Sequence, residues 1–92
     1  MAQLINLRVN EIDNIDANNL TRGIYYSGNP TTISNSPSDI SNYPTVILYI
    51  GKAGGNDRGL QIMISLGAND AKIFIRGLIY TGWTSWRSVS LQ

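Results

Sequence analysis

The stretch "LQIMISLGANDAKIFIRGLIY", residues 60–80, decides the fold of this chain. Aliphatic side chains stand at every second position from Leu60 to Leu66, which is the period of a β-strand with one buried face. The alternation continues through Ala71, Ile73 and Ile75, after a "GAND" loop with the composition of a tight hairpin. We therefore expect two antiparallel strands whose aliphatic positions face the core and whose alternate positions, including Arg76, face away from it.

Three further strands are predicted, two before this hairpin and one after it. "TVILYI" (residues 45–50) is apolar on both faces, which favours a central strand covered on both sides. "RGIYYS" (22–27) and "WRSVSL" (86–91) are predicted to be strands nearer the two ends of the chain. The fold class is thus mainly β: a small single-domain antiparallel meander with a long irregular surface loop (28–44) and at most one or two short helical turns, one near residues 38–42.

The first twenty residues allow two interpretations. "LINLRV" (residues 4–9) has the composition of a strand, whereas Ile12, Ile15 and Leu20 can line one side of a short helix or turn. We divide the chain into an N-terminal segment, residues 1–14, and a β-rich domain, residues 15–92. No internal repeat or linker divides it further.

Composition and charge exclude several classes of function. A domain of 92 residues buries only around 60% of its unfolded surface, so its core is marginal, and oligomerisation or a larger parent assembly can help to stabilise it. Seven basic and six acidic side chains give a net charge of +1, which cannot gather nucleic acid or an anionic membrane. The longest apolar run, residues 46–50, is far too short to span a bilayer, and "MAQLINLRVN" lacks the features of a signal peptide.

The residue types in the sequence and their positions argue against the common kinds of catalytic site. The sequence contains no His and no Cys, so it can build neither a Ser-His-Asp triad, a thiol nucleophile nor a His-based zinc site. Glycoside hydrolysis needs two carboxylates near each other, and Asp57 and Asp70 fall at opposite ends of one predicted strand. "DANNLT" begins like a calcium loop at Asp16 but places Leu20 and Thr21 at positions that need a ligand and a glycine. We predict a protein that is not an enzyme, with no cofactor and no metal.

Three pieces of sequence, in order, resemble the pyocin-knob modules of phage and prophage tail fibres. "IDANNLTRGIYY" (15–26) is similar to the opening D-x-N-x-L…G-x-Y of that family, which includes Tyr25. "YPTVILYIG" (43–51) is similar to its proline-led strand. "IFIRGLIYTGWTSWRSV" (73–89) resembles its closing signature, a strand that carries an Arg, here Arg76, followed by W-x-x-W, which ends at Trp86.

The resemblance implies a location and a partner. It implies a β-rich knob in the virion, at or near the receptor-binding end of a tail fibre that is a homotrimer, where it attaches the particle to bacterial surface carbohydrate. Residues 1–14 would then lie next to the stalk. Two alternatives stay open: a purely structural trimerisation or capping module of a fibre, and a fibre-associated adaptor or chaperone.

The residue types that recognise carbohydrate are concentrated in two predicted turns. Sugars are bound by flat aromatic faces and by planar amide, carboxylate and guanidinium groups. Asn56, Asp57 and Arg58 lie in the Gly-rich loop before one strand, and Tyr80 and Trp83 lie in the turn after the next. In an antiparallel meander these two turns meet at the same end of the sheet, so we predict that the five residues form a glycan-binding site. The turn at residues 67–70 lies at the other end, roughly 25 Å away.

Three other residues are predicted to be structural. Arg76 can stack across the sheet on Trp86 as a cation–π partner. Trp86 is large enough that a small domain is expected to bury it. Tyr25 is expected to pack with its hydroxyl in contact with water. We therefore expect Arg76 and Trp86 to form a frame that holds the turn at Tyr80–Trp83.

Overall fold

A computed structural model describes residues 9–51, 58–80 and 82–90 of the protein. Within these residues, seven strands form one sheet in which β1 to β6 lie side by side in chain order, and β7 pairs with β5. β1 is parallel to β2, and the other pairs are antiparallel. The strands are β1 (Val9–Glu11), β2 (Gly23–Ser27), β3 (Thr45–Gly51), β4 (Arg58–Leu66), β5 (Ala71–Ile79), β6 (Gly82–Trp83) and β7 (Arg87–Ser90).

The predicted mainly β fold is confirmed, and the meander β2–β5 follows the predicted strands closely. Two 3₁₀ helices, Ala17–Asn19 and Pro30–Thr32, lie among the first three strands. The second begins where the Asn29 side chain accepts a hydrogen bond from the Thr31 backbone N–H and a proline fills the first helical position. The prediction of a helical turn near residues 38–42 is wrong. That region contains a single turn, closed by a bond from the Ile40 N–H to the Pro37 carbonyl (3.1 Å).

One face of the sheet is covered by the rest of the chain. It is the opposite face to the one that the alternation of the sequence predicts. Tyr25, Ile47, Met63 and Phe74 lie opposite one another across β2–β5, and all four are buried. Ile64, predicted to be buried, is 39% exposed. The sequence prediction of the covered face, and with it the outward orientation of Arg76, is therefore wrong.

The irregular segments of the chain form the layer that covers this inner face. Residues 12–20 and 30–35 are tied together by backbone hydrogen bonds from the Ala17 N–H to the Ser34 carbonyl and from the Ser34 N–H to the Ile15 carbonyl, each 2.9 Å. Ala17, Leu20 and Ile33 from these segments join the buried core. The segment 28–44 is thus not only a surface loop, because part of it is the second layer of the domain. Ile12 and Ile15 pack against the same core as Leu20, while the helical residues here are Ala17–Asn19. The alternative prediction, a strand at residues 4–9, lies outside the described residues except for Val9.

An irregular covering layer explains why the inner face is rich in polar side chains. Such a layer presents backbone N–H and C=O groups that no sheet or helix satisfies, and each needs a partner when it is buried. Gln61 supplies one, since its amide nitrogen donates to the Ala17 carbonyl at 2.8 Å. Ser27, Thr45 and Ser65 form a buried polar row at the other end of the inner face.

The outer face of the sheet is aliphatic, and no described element packs against it. Its exposed residues include Ile50 (57%) and Leu66 (51%). We call this surface the aliphatic face. Its centre consists of Val46 and Leu48 on β3, Ile62 and Ile64 on β4, and Ile73 and Ile75 on β5.

Candidate functional site

Arg76 contacts two tryptophan rings at one end of the inner face. The carbon at the centre of its guanidinium lies 4.2 Å from the centroid of the Trp83 ring and 4.7 Å from that of Trp86. Trp83 reaches this position because β6 folds back and pairs Trp83 with Leu78, two residues beyond Arg76 on β5. The predicted cation–π contact between Arg76 and Trp86 is confirmed. We call the three side chains the arginine stack.

Hydrogen bonds to neutral amides complete the environment of the Arg76 guanidinium. Its Nε donates to Gln61 Oε1 at 2.9 Å, and Nη2 donates to Asn18 Oδ1 at 2.7 Å. Burial lowers the pKa of Arg76 to about 10, while the nearby Asp16 carboxylate raises it. The side chain is therefore still cationic at neutral pH, and it is only 5% exposed. Arg76 is placed to hold the surrounding layers together rather than to reach a ligand in solvent.

Asp16 organises the covering layer beside the arginine stack. Its carboxylate accepts hydrogen bonds from the Asn35 side-chain nitrogen (2.7 Å) and from the Asn18 backbone N–H (2.8 Å). Both bonds favour the ionised form, so they lower the pKa of Asp16. The Asn35 carbonyl in turn accepts from the indole N–H of Trp86 at 2.8 Å. One connected network thus runs from the covering layer to Trp86, the residue before the last strand.

Arg58 and Tyr80 form an exposed pair at the end of the β4–β5 pair. The guanidinium carbon of Arg58 lies 4.4 Å from the centroid of the Tyr80 ring, and Tyr80 is 64% exposed. The backbone of Tyr80 has φ of 58°, a left-handed conformation that a bulky residue rarely adopts. Arg58 is paired with Ile79 in the sheet register, which brings the two side chains together. We call Arg58 and Tyr80 the tip.

The five residues predicted to form one site do not all fall into one exposed group. The predicted proximity of Arg58 and Tyr80 is confirmed. Asn56 and Asp57 lie outside the described residues. Trp83 is half-buried on the inner face, where its ring meets Tyr49 edge-on with centroids 5.5 Å apart. Trp83 therefore packs on the inner face, whereas Tyr80 is exposed to solvent.

Tyr25 is a packing residue. It is buried in the core, and its hydroxyl donates to the Thr21 backbone carbonyl four residues before it. This bond satisfies the phenol within the protein, whereas the sequence predicted a hydroxyl in contact with water.

Sequence reasoning missed a small depression at the other end of the sheet. Two carboxylates, Asp39 and Asp70, line it together with Lys72. Asp39 belongs to the irregular segment, and that segment is fixed here by a hydrogen bond from the Ser41 hydroxyl to the Leu66 carbonyl (2.7 Å). No periodic pattern signals such a contact, so the sequence gives no means of placing the two carboxylates together.

The described residues offer no cluster of three or more His, Cys, Asp or Glu side chains that could hold a metal ion. Nor do they include a helix long and apolar enough to cross a membrane. In comparisons with known proteins, no family model, no curated protein and no solved structure matches the chain.

Proposed function

We propose that this protein is a non-enzymatic knob module of a tail fibre, from a phage or a phage-derived particle, and that its tip binds bacterial surface carbohydrate. The observation that carries the proposal is the backbone of Tyr80. A bulky residue in the left-handed region costs of the order of 1 kcal/mol, and such strain is concentrated at functional positions. Here the strained backbone supports an aromatic ring that is 64% exposed.

The chemistry of the tip suits a sugar. The face of an aromatic ring packs against the C–H groups of a pyranose, and a guanidinium donates hydrogen bonds to neighbouring hydroxyls. Arg58 and Tyr80 bring both groups within 4.4 Å of each other before any ligand arrives. A preorganised pair loses less conformational entropy on binding than two mobile side chains.

The arginine stack supplies the rigidity that such a tip needs. Trp83 lies three residues after Tyr80 and packs on Arg76 and Tyr49. The strand that follows Tyr80 is therefore held at Trp83 from the inner face of the sheet. The same Arg76 and Trp86 are the positions that resemble the closing signature of pyocin-knob modules.

The proposal is tested by binding of the labelled protein to a panel of bacterial cells and to a glycan array. We expect Tyr80→Ala to weaken binding at least about tenfold, equivalent to about 1.4 kcal/mol. Tyr43→Ala is the matched control, since Tyr43 is also exposed but precedes β3 at the opposite end of the sheet. Its affinity should equal that of the wild type.

Two outcomes would count against the proposal. Folded wild-type protein that binds no cell and no glycan would favour a structural cap or a fibre-associated adaptor instead. Binding that survives Tyr80→Ala but is lost in Tyr43→Ala would move the site to the other end of the sheet.

A further inference from the structure

We infer that the aliphatic face packs against the same face of a second copy of this chain. This inference goes beyond the proposed function, because it concerns the outer surface of the sheet and does not require a glycan at the tip. The interaction is apolar, sheet against sheet.

The composition of the aliphatic face is that of a buried surface. Across β3, β4 and β5 one row is Val46, Ile64 and Ile73, and the next is Leu48, Ile62 and Ile75. Every one of these six side chains is a branched aliphatic, and no charged residue interrupts the two rows on these strands. Monomeric proteins rarely expose an uninterrupted apolar patch of this kind, and such patches mark interfaces.

The area of the face is sufficient for a stable dimer. Six strands side by side, β1 to β5 and β7, span about 29 Å at the usual strand spacing, and the steps from Leu60 to Leu66 along β4 cover about 20 Å. Each copy therefore offers about 600 Å², and two copies together would bury about 1,200 Å², the lower limit of standard specific interfaces. The rise of the side chains above the sheet plane adds to this projected area.

A second copy is the occupant that this geometry favours. The partner must be a broad, uncharged and apolar surface, and the aliphatic face itself has those properties. Sheets pack face to face at a separation of about 10 Å with interlocked side chains, and a two-fold axis makes one face self-complementary.

Charges at the two edges of the face are also complementary. Glu11 lies on the outer face at the β1 edge and Arg87 on the outer face at the β7 edge. A two-fold axis parallel to the strands places the β1 edge of one copy over the β7 edge of the other. The carboxylate and the guanidinium of different copies then come near each other at both rims of the interface.

The small core supports the same inference. On the inner face the fully buried apolar side chains include Ile47, Met63 and Phe74, but polar groups occupy both ends of that face. A second core between two copies would remove from water the larger share of the aliphatic side chains of the sheet. Each exposed residue of the face that becomes buried adds to the stability of the pair.

The test is the mass of the whole protein in solution, measured by sedimentation equilibrium over about a hundredfold range of concentration. We expect twice the chain mass for the wild type and the chain mass for Ile64→Glu. Tyr43→Glu is the matched control, because it introduces the same charge at a similarly exposed residue off the face. It should remain associated.

A second pair of variants protects the test against misfolding. Val89→Glu places a charge on the aliphatic face at the edge strand β7, and Ser88→Glu places it one residue away on the opposite face. We expect Val89→Glu to weaken association by at least about tenfold and Ser88→Glu to leave it unchanged, with circular dichroism showing the same β content in both.

Three results would overturn the inference. One is a wild type that stays at the chain mass at every concentration. Another is association that Ile64→Glu and Val89→Glu leave intact. The third is a monomer that binds uncharged phosphatidylcholine vesicles, because the face would then meet lipid. Since none of these measurements involves a glycan, their failure is distinct from failure of the proposed function.

Discussion

Gln61 and Arg76 lie directly opposite each other on β4 and β5, and the Arg76 Nε donates to the Gln61 side-chain oxygen at 2.9 Å. The Gln61 nitrogen donates at the same time to the Ala17 carbonyl. One amide therefore connects the sheet to the layer that covers it, and one guanidinium connects that amide to two tryptophan rings. The pair connects the hydrophobic core to the packed end of β5, next to Tyr80.

Replacing Arg76 by Lys should destabilise the protein strongly. A lysine ammonium keeps the charge but loses the planar guanidinium that stacks on Trp83 and Trp86 and that donates to Gln61 and Asn18. We expect the free energy of unfolding to fall by about 2–4 kcal/mol, measured by urea denaturation. Arg87→Lys, the same change at an exposed position, should alter it by less than about 0.5 kcal/mol. Equal effects of the two variants would mean that the arginine stack has no structural role.

The backbone strain at Tyr80 is measured by comparing two truncations. Tyr80→Ala and Tyr80→Gly both remove the ring and its contact with Arg58, but only glycine adopts a φ of 58° without a Cβ penalty. We expect Tyr80→Gly to be more stable than Tyr80→Ala by about 1 kcal/mol in urea denaturation, while both bind glycan at least about tenfold more weakly than the wild type. If the alanine variant is the more stable of the two, the turn is not strained.

Asp16 should make stability depend on pH in the acid range. The pKa of Asp16 is lowered in the folded protein by its bonds from Asn35 and Asn18, so the folded state favours the ionised form. This stabilisation is fully present above the usual pKa of 3.8 and is lost as pH falls through the lowered value.

Asp16→Asn should therefore be less stable than the wild type at pH 7, and the difference should shrink as the solution is acidified below about pH 4. Thermal unfolding of both proteins across this range measures it. Asp13→Asn is the control for the change in net charge at a nearby exposed carboxylate. A difference between wild type and Asp16→Asn that stays constant with pH would show that the carboxylate charge is not involved.

Ser27→Ala should stabilise the protein. Ser27 is fully buried, and its hydroxyl has no hydrogen-bond partner among the described residues. Removing an unsatisfied buried hydroxyl is expected to raise the free energy of unfolding by about 1 kcal/mol. Ser65→Ala is the comparison in the same buried row, where the hydroxyl meets Ser41 Oγ at 3.4 Å. We expect this variant to be less stable than Ser27→Ala, and the reverse order in chemical denaturation would contradict the assignment.

Sequence alone predicts the strands β2–β5 well. β4 and β5 alternate with a period of two, and β2 and β3 are short runs rich in β-branched and aromatic residues. The sequence cannot decide which face is covered, since the odd-numbered face of β4 contains Met63 in the core as well as Gln61 and Ser65. Polar residues on a strand usually indicate solvent. Here they indicate an irregular covering layer, whose backbone groups need polar partners.

The candidate site was predictable only in part. Arg58 and Tyr80 meet because β4 and β5 are antiparallel, so the start of β4 lies beside the end of β5. Arg76 meets Trp86 because β7 returns along β5. The contact of Asn18 with Arg76 spans 58 residues and arises from a segment without a periodic pattern. Nothing in such a segment signals its partner.

The two faces of the sheet should accumulate substitutions at different rates during evolution. On the aliphatic face, Val, Ile and Leu can exchange for one another at small cost, since volume and apolarity are what such a contact requires. On the inner face, a change at Gln61 removes the hydrogen-bond partner of both the Arg76 Nε and the Ala17 carbonyl. Substitutions there should be rare or should occur in concert, so distant descendants of this chain would keep its hydrogen-bonded inner residues longer than its aliphatic ones.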